Sequence, residues 1–315
     1  MNKRIAAGFL TLLLNWPALA AESSSVITQS DVIWEAIKVF EGDATTVSGD
    51  FDCQGMSVGI AQWNIGKSLA SVRSIVTAIP PDQLAAAMPK FRQPFIKALN
   101  GDKDGALAFV RGLQTIEHPE SCDANTRNAR WSPEGKSFVK ELSSALGLPA
   151  SIQAQRNLRS DIFASGLQNA KIWATAARGE GALPSNEEVA YFVDMQNFNG
   201  GGLTKFGLAV KPLTPDVRKL CAAQVIEYLR TADDAFLLHK KAARRNASLL
   251  TLESLNDSPL DLFCLSHQVA LKLSATHARQ FRLTVINRRA AILFGQAFYS
   301  DRDSTPTKIR FASSR

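Results

Sequence analysis

The reading turns on Ser30-Asp31-Val32-Ile33-Trp34-Glu35-Ala36-Ile37-Lys38-Val39-Phe40-Glu41-Gly42 and on the segment from Asp43 to Gly66 that follows it. Ile33, Ala36, Ile37 and Phe40 recur at the helical spacing and lie on one stripe, with Ser30 placed to cap the helix N-terminus. Glu41 falls in the last turn, and Gly42 is a natural residue for the helix to stop on. A carboxylate at a helix C-terminus faces the negative end of the macrodipole, an unfavourable place for an acid with only a structural part. From Asp43 to Gly66 the helical period disappears among glycines and small polar residues, which fits a loop or short β-hairpin.

Outward from that stretch nearly every periodic segment is helical. Apolar stripes mark Leu69 to Val76, Pro81 to Met88, Phe91 to Leu99 and Gly105 to Leu113, with breaks at Ile79-Pro80-Pro81 and Asn100-Gly101-Asp102. His118 to Ser132 reads as a surface loop, and Pro133 to Leu146 resumes as helix. A long segment, Ser151 to Arg178, precedes the Gly179-Glu180-Gly181 turn. Ser185 then stands three residues before Glu188, the spacing of a capping box. Later helical stretches are Asp216 to Lys241, Leu260 to Phe281 and Asn287 to Phe294. The expected fold is a mainly α-helical domain with one small β-hairpin and no internal boundary.

Composition agrees: 45% hydrophobic residues in a chain of 315 suffice for a sizeable core and exclude a disordered chain. Residues 1–20 have a basic start at Asn2-Lys3-Arg4, an apolar run from Ile5 to Leu14 and an Ala18-Leu19-Ala20 exit, the pattern of a secretory signal peptide. The apolar run falls short of the roughly 20 residues a membrane-spanning helix needs. A periplasmic or secreted location without stable membrane insertion is expected. Removing residues 1–20 takes Lys3 and Arg4 from the 36 basic residues and none of the 29 acids, so the formal charge falls from +7 to +5. That surplus attracts anionic surfaces. The cluster Lys240-Lys241 and Arg244-Arg245 has no interleaved aromatics and reads as a solvated helix face rather than a nucleic-acid site.

Cys53, Cys122, Cys221 and Cys264 suggest two disulfides in an oxidising compartment, and proximity in sequence favours Cys53 with Cys122 and Cys221 with Cys264. No Cys-x-x-Cys pair accompanies Cys264 and His267, and the remaining histidines are scattered, so no metal is expected. Nucleophile elbows, phosphate-binding lysine loops, dinucleotide glycine fingerprints and His-Glu-x-x-His zinc helices are all absent from the sequence.

Three segments place carboxylates and amides beside glycines where a core needs neither: Phe40-Glu41-Gly42, Gly49 through Trp63, and Phe192 through Gly202. Glycosidic cleavage needs one acid to protonate the leaving oxygen and a second carboxylate to activate water or stabilise the oxocarbenium-like transition state. Glu41 suits the first role and Asp52 the second, with Asp50 as the substitute because residues two apart on a strand point the same way.

Glu41 at a helix end and Gly59-Ile60-Ala61-Gln62, similar to the Gly-Leu-Met-Gln motif of lytic transglycosylases, resemble the lysozyme-like glycoside hydrolases, a superfamily that also includes lysozymes and chitosanases. Asp52-Cys53-Gln54-Gly55 resembles the Asp-Gly-x-Gly segment that supplies the catalytic Asp in chitosanases, with Cys53 in place of the first Gly. Val193-Asp194-Met195-Gln196-Asn197-Phe198-Asn199-Gly200 is similar to the later cleft-lining segment of transglycosylases. The resemblance implies a single lysozyme-like catalytic domain over residues 21–315, with a helical C-terminal extension and a hairpin beside the cleft. It implies cleavage of β-1,4 bonds in peptidoglycan without a cofactor, Glu41 being the general acid. Gln62, Trp63, Asp194, Gln196 and Asn197 would bind the sugar. Chitosan is the alternative polymer, disfavoured because protonated chitosan and a basic protein repel. A non-catalytic peptidoglycan-binding module is the alternative from another class.

Overall fold

The computed structural model describes residues 28–50, 52–122, 124–231, 239–250, 257–273 and 281–311. The leader expected at residues 1–20 and the polar lead after it lie outside these. Helix α1 (Gln29–Glu41) buries Val32, Ile33, Trp34, Ala36 and Ile37 along the predicted stripe. Its N-cap is Thr28 rather than Ser30. Thr28 Oγ1 accepts from the Asp31 N–H, and Asp31 accepts in return from the Thr28 N–H. Ser30 has Ile33 three residues on and lacks the acid that completes this reciprocal pair. At the other end Gly42, at φ 97°, donates its N–H to the Lys38 carbonyl and turns the chain out of the helix.

The expected hairpin is a sheet of three very short antiparallel strands, β1 (Val47–Ser48), β2 (Ser57–Val58) and β3 (Trp63–Asn64), in the order β1-β2-β3. Val58 stands opposite both Val47 and Trp63, which fixes the register. Asn64 then caps α2 (Ile65–Thr77), accepting from the Lys67 N–H, and α3 (Pro81–Ala87), α4 (Arg92–Asn100) and α5 (Lys103–Gly112) follow where the apolar spacing places them. The stretch read as a loop, residues 118–132, carries α6 (Ala124–Arg127) and β5 (Arg130–Trp131), the latter paired with β4 (Gln114–Thr115). Its polar composition hides this order because the segment is organised around a buried arginine, Arg127, rather than an apolar stripe.

Helix α7 (Pro133–Leu146) leads into α8 (Pro149–Arg178), 30 residues long. Helix α9 (Asn186–Asn199) starts at the Ser185–Glu188 capping box, as its spacing requires. Of the helix expected from Asp216 to Lys241, the part to Thr231 is α10 (Pro215–Thr231) and its end opens α11 (Lys240–Leu249), residues 232–238 lying outside the described residues. Helices α12 (Asp257–Lys272) and α13 (Arg282–Phe294) and the pair β6 (Gln296–Ala297) and β7 (Thr307–Lys308) complete the described chain. On α11, Lys241 and Arg244 are exposed, while Arg245 folds over Phe298 and donates to the Asp303 carbonyl.

Two apolar clusters result. One gathers Met56, Val58 and Trp63 of the small sheet with Val72, Phe95, Val110, Phe138 and Leu142. The other gathers Ile33 and Ile37 of α1 with Trp173, Tyr191, Phe192, Phe263, Ile286 and Ile292. Ile162 of α8 packs against both, so this helix, about 45 Å long at 1.5 Å per residue, is their common spine. Disulfides join Cys53 to Cys122 and Cys221 to Cys264, with Cα–Cα separations of 5.1 and 5.8 Å. The first ties the β1–β2 loop to the chain just before α6, and the second ties α10 to α12. No helix of the described residues is long and apolar enough to cross a membrane.

Helices α8 and α9 meet at Gly166, where a Cβ atom would lie 2.7 Å from the backbone nitrogen of Val193. Backbone cannot retreat as a side chain can. Gly166→Ala is therefore expected to cost about 1–3 kcal/mol by overpacking, read as a lower urea midpoint. An unchanged midpoint would mean that this contact does not set the spacing of the two helices.

Candidate functional site

Glu41, the last residue of α1, is 7% exposed, and its Oε1 accepts from Arg288 Nη2. No other hydrogen bond to the Glu41 carboxylate is found among the described residues. Arg288 lies on α13, buried along nearly its whole length, and its guanidinium also binds Asp194 of α9 through Nε and Nη2. Asp194 Oδ2 accepts from Arg289 Nε at 2.6 Å, and Arg289 Nη2 donates to Asn199 Oδ1 at 2.9 Å. Phe40 and Phe198 sandwich the Arg288 guanidinium, with ring centroids at 4.7 and 4.4 Å. Tyr191 lies under Arg289 at 5.2 Å.

Two acids and two arginines thus share one buried compartment. Burial alone would raise the Asp194 carboxyl, but Arg288 and Arg289 outweigh it and hold the group below its ordinary 3.8. Burial likewise works against charge on Arg288, yet Asp194 and Glu41 raise its pKa above the usual arginine value. Burial pushes the neighbouring Tyr191 phenol up to about 12, so it stays neutral. The cluster orients one carboxylate, Glu41, with a fixed guanidinium on one oxygen.

The loop between β1 and β2 separates the two aspartates that the sequence leaves interchangeable. Asp50 has no exposed surface. Its Oδ1 accepts the Gly55 N–H at 2.8 Å, and its Oδ2 accepts Arg111 Nε at 2.8 Å and Arg127 Nη2 at 2.6 Å. Arg127 Nε also reaches the Asp50 carbonyl, at 2.8 Å. With both oxygens engaged by Gly55, Arg111 and Arg127, Asp50 builds the loop and has no oxygen left for the role the sequence offered it. Asp52 is only partly buried, accepts the Gln54 N–H at 3.2 Å, and has its pKa raised by burial. Between them and Gly55, Cys53 sits at φ 65°, a left-handed conformation that costs a residue with a side chain about 1–2 kcal/mol. The bond to Cys122 and the Arg111 donation to the Cys53 carbonyl at 3.0 Å hold it there. A cysteine thus occupies the glycine-like position of this turn.

Other expected site residues divide. Asp194 is wholly buried and holds arginines, so it does not line a cleft. Gln62, at φ 51°, accepts from Ser48 Oγ at 2.9 Å and donates to the Gly59 carbonyl at 2.8 Å; its amide closes the β2–β3 turn. Trp63 is 7% exposed and belongs to the core, not to a stacking platform. Gln196 and Asn197 are half-buried, without side-chain hydrogen bonds among the described residues. Arg288 and Arg289 escaped the sequence reading. Their signal is two adjacent arginines inside the apolar run Val285 to Leu293, where a core helix needs none.

Two concavities lie elsewhere and include neither Glu41 nor Asp52: one of 260 Å³ between α1 and α8, and one of 700 Å³ bordered by the Arg178–Glu188 and Arg218–Asp261 ion pairs. No family model, curated protein or solved structure matches the chain.

The buried aspartates set the response to acid. Burial opposes the charge on Asp50, but the bonds from Arg111, Gly55 and Arg127 prevail and hold it, like Asp194, below 3.8. A carboxyl whose folded-state pKa is depressed contributes stability above its unfolded value, and that contribution disappears as pH falls through the folded value. Stability is therefore expected to be retained above about pH 4 and to decline below it. Asp50→Asn leaves Arg127, 1% exposed, without its counter-charge and should cost about 3–5 kcal/mol at neutral pH while flattening the acid limb in urea titrations. A variant as stable as the parent at pH 7 would rule out Asp50 as the centre of the loop.

Proposed function

We propose that this chain is a lysozyme-like glycoside hydrolase that cleaves β-1,4 bonds between amino sugars of peptidoglycan, with Glu41 as the general acid. The observation that carries the reading is the Glu41–Arg288–Asp194 chain: an acid at a helix end, beside the small sheet, tied to a buried guanidinium on one oxygen. Such an acid delivers its proton to the leaving glycosidic oxygen, and Arg288 stabilises the carboxylate that remains. Asp52 takes a proton from the water that attacks the anomeric carbon as the bond to the leaving oxygen breaks. Partial burial strengthens it as a base. Asp194 keeps Arg288 in place and touches no substrate. Asn197 and Gln196, one turn or less beyond Asp194 on α9 and free of internal partners among the described residues, hold sugar hydroxyl or N-acetyl groups. No step calls on a cofactor.

The basic surface favours peptidoglycan over a polycation. The left-handed backbone at Cys53 and Gly55 (φ 85°) supports a second reading, a chitosanase, because Cys53 then adopts a conformation that a glycine at that place, as in the Asp-Gly-x-Gly segment it resembles, takes readily. The deciding experiment is mass spectrometry of soluble fragments released from purified peptidoglycan and, in parallel, from chitosan. Wall fragments are expected from the parent. Glu41→Gln is expected to release none, and Asp52→Asn to slow release by about 10²–10⁴-fold. Chitosan oligomers alone would establish the second reading. Binding without fragments from either polymer would make the protein a non-catalytic module, and a fully active Glu41→Gln variant would remove Glu41 from the mechanism.

A further inference from the structure

The 260 Å³ concavity between α1 and α8 is lined by Asp31, Trp34 and Glu35 on one side and by Arg156, Arg159 and Gln155 on the other, with Ala44 and Ile60 closing its end. Its acids are already committed: Asp31 completes the α1 capping box with Thr28, and Glu35 pairs with Lys38. Gln155 is committed too, accepting the Ile60 N–H at 3.1 Å and donating to the Ala44 carbonyl at 3.1 Å. Arg156 and Arg159 have no hydrogen bond or ion pair among the described residues. Arg159 is 9% exposed, and its guanidinium lies over the Trp34 ring, 5.1 Å from the centroid. Two buried donors, Arg159 Nε and Trp34 Nε1, have no acceptor. Burial lowers the Arg159 pKa by more than the nearby Asp31 carboxylate raises it, and Arg156 adds to the lowering.

Leaving buried donors unsatisfied is costly, and a fixed guanidinium stacked on an indole presents a rigid fork suited to a planar anion. Asp31 offsets part of the arginine charge without bonding to either guanidinium, the orphan atoms of the pocket are all donors, and its volume is that of an amino-acid-sized group rather than a sugar chain. We propose that the α1–α8 pocket binds a carboxylate, Arg159 donating the hydrogen bonds and Arg156 adding charge at the mouth. Resting on the peptidoglycan reading above, the carboxylate's source is the peptide branches of the wall polymer, which carry free carboxylates where chitosan carries ammonium groups. The pocket then recognises the peptide while Glu41, at the far end of the same helix α1, acts on the glycan.

The test is to label the mature protein with ¹⁵N, assign the Trp34 indole by a Trp34→Phe variant, and follow that resonance during titration. The probes are a disaccharide–tetrapeptide, the tetrapeptide alone, the same peptide with its carboxylates amidated, acetate, and a chitosan oligomer. The tetrapeptide, free or attached to its disaccharide, is expected to shift the Trp34 signal. Amidation is expected to abolish the shift, chitosan to give none, and Arg159→Gln, checked for native fold by circular dichroism, to weaken peptide binding about tenfold or more. An equal response to the amidated peptide, or an unaltered affinity in Arg159→Gln, would overturn the proposal. Saturation by acetate as tight as by the peptide would make the source a free small carboxylate and remove the wall peptide as ligand. Wall cleavage that requires Glu41 with no Trp34 shift would refute this pocket alone; a peptide-specific shift without any cleavage would refute the hydrolase reading and leave the pocket standing.

Discussion

One guanidinium organises the centre of this protein. Arg288 is removed from water, clamped between Phe40 and Phe198, and divided between Glu41 and Asp194. A buried arginine without partners is among the most costly groups a fold can hold, so α1, α9 and α13 must come together in one arrangement or none. Apolar packing brings these helices into contact. The shared charge then selects among arrangements of similar packing energy, since sliding any of the helices by a turn would separate Arg288 from one of its acids.

The same device recurs in the other cluster. Asp50 gathers Arg127, Arg111 and the Gly55 N–H, and through Arg127 it reaches the carbonyls of Pro119 and Ser121. The disulfide at Cys53 and Cys122 closes the same loop covalently. A segment with strands of only two residues cannot be held by its ladder alone. Its shape comes from one buried aspartate, two arginines and a sulfur bridge, with Asp52 carried in the loop they hold.

Helices are legible here wherever an apolar stripe or a cap carries the information. Pro133 and Leu146 bound α7 as the sequence suggests, Ser185 and Glu188 open α9, and Gly42 and Gly200 end helices in backbone conformations that glycine adopts readily. The order within residues 118–132 is not legible, because Arg127 fixes it through carbonyls and an aspartate far along the chain. The site divides on the same line. Glu41 stands out because its position in a helix is unusual, whereas Asp50 and Asp52 look alike until the arginines that bury one of them are located. Asp194 reads as a sugar-binding residue of a cleft, and only the fold shows that it faces inward toward Arg288 and Arg289. Sequence spacing reports on neighbours within an element. Ion pairs between elements 94 or 247 positions apart leave no such trace.

That long separation affects how the protein comes into being. Glu41 is synthesised near the start of the chain, yet the arginine that orients it lies 247 positions later, on the last described helix. A contact of such high order carries a large loop-closure cost, whereas the lobe built on Met56 to Leu146 gathers its core from residues nearer in sequence. Until α13 docks, Glu41 lacks the guanidinium that binds its Oε1. Any truncation that removes Arg288 therefore also removes the one guanidinium that ties the end of α1 to α13.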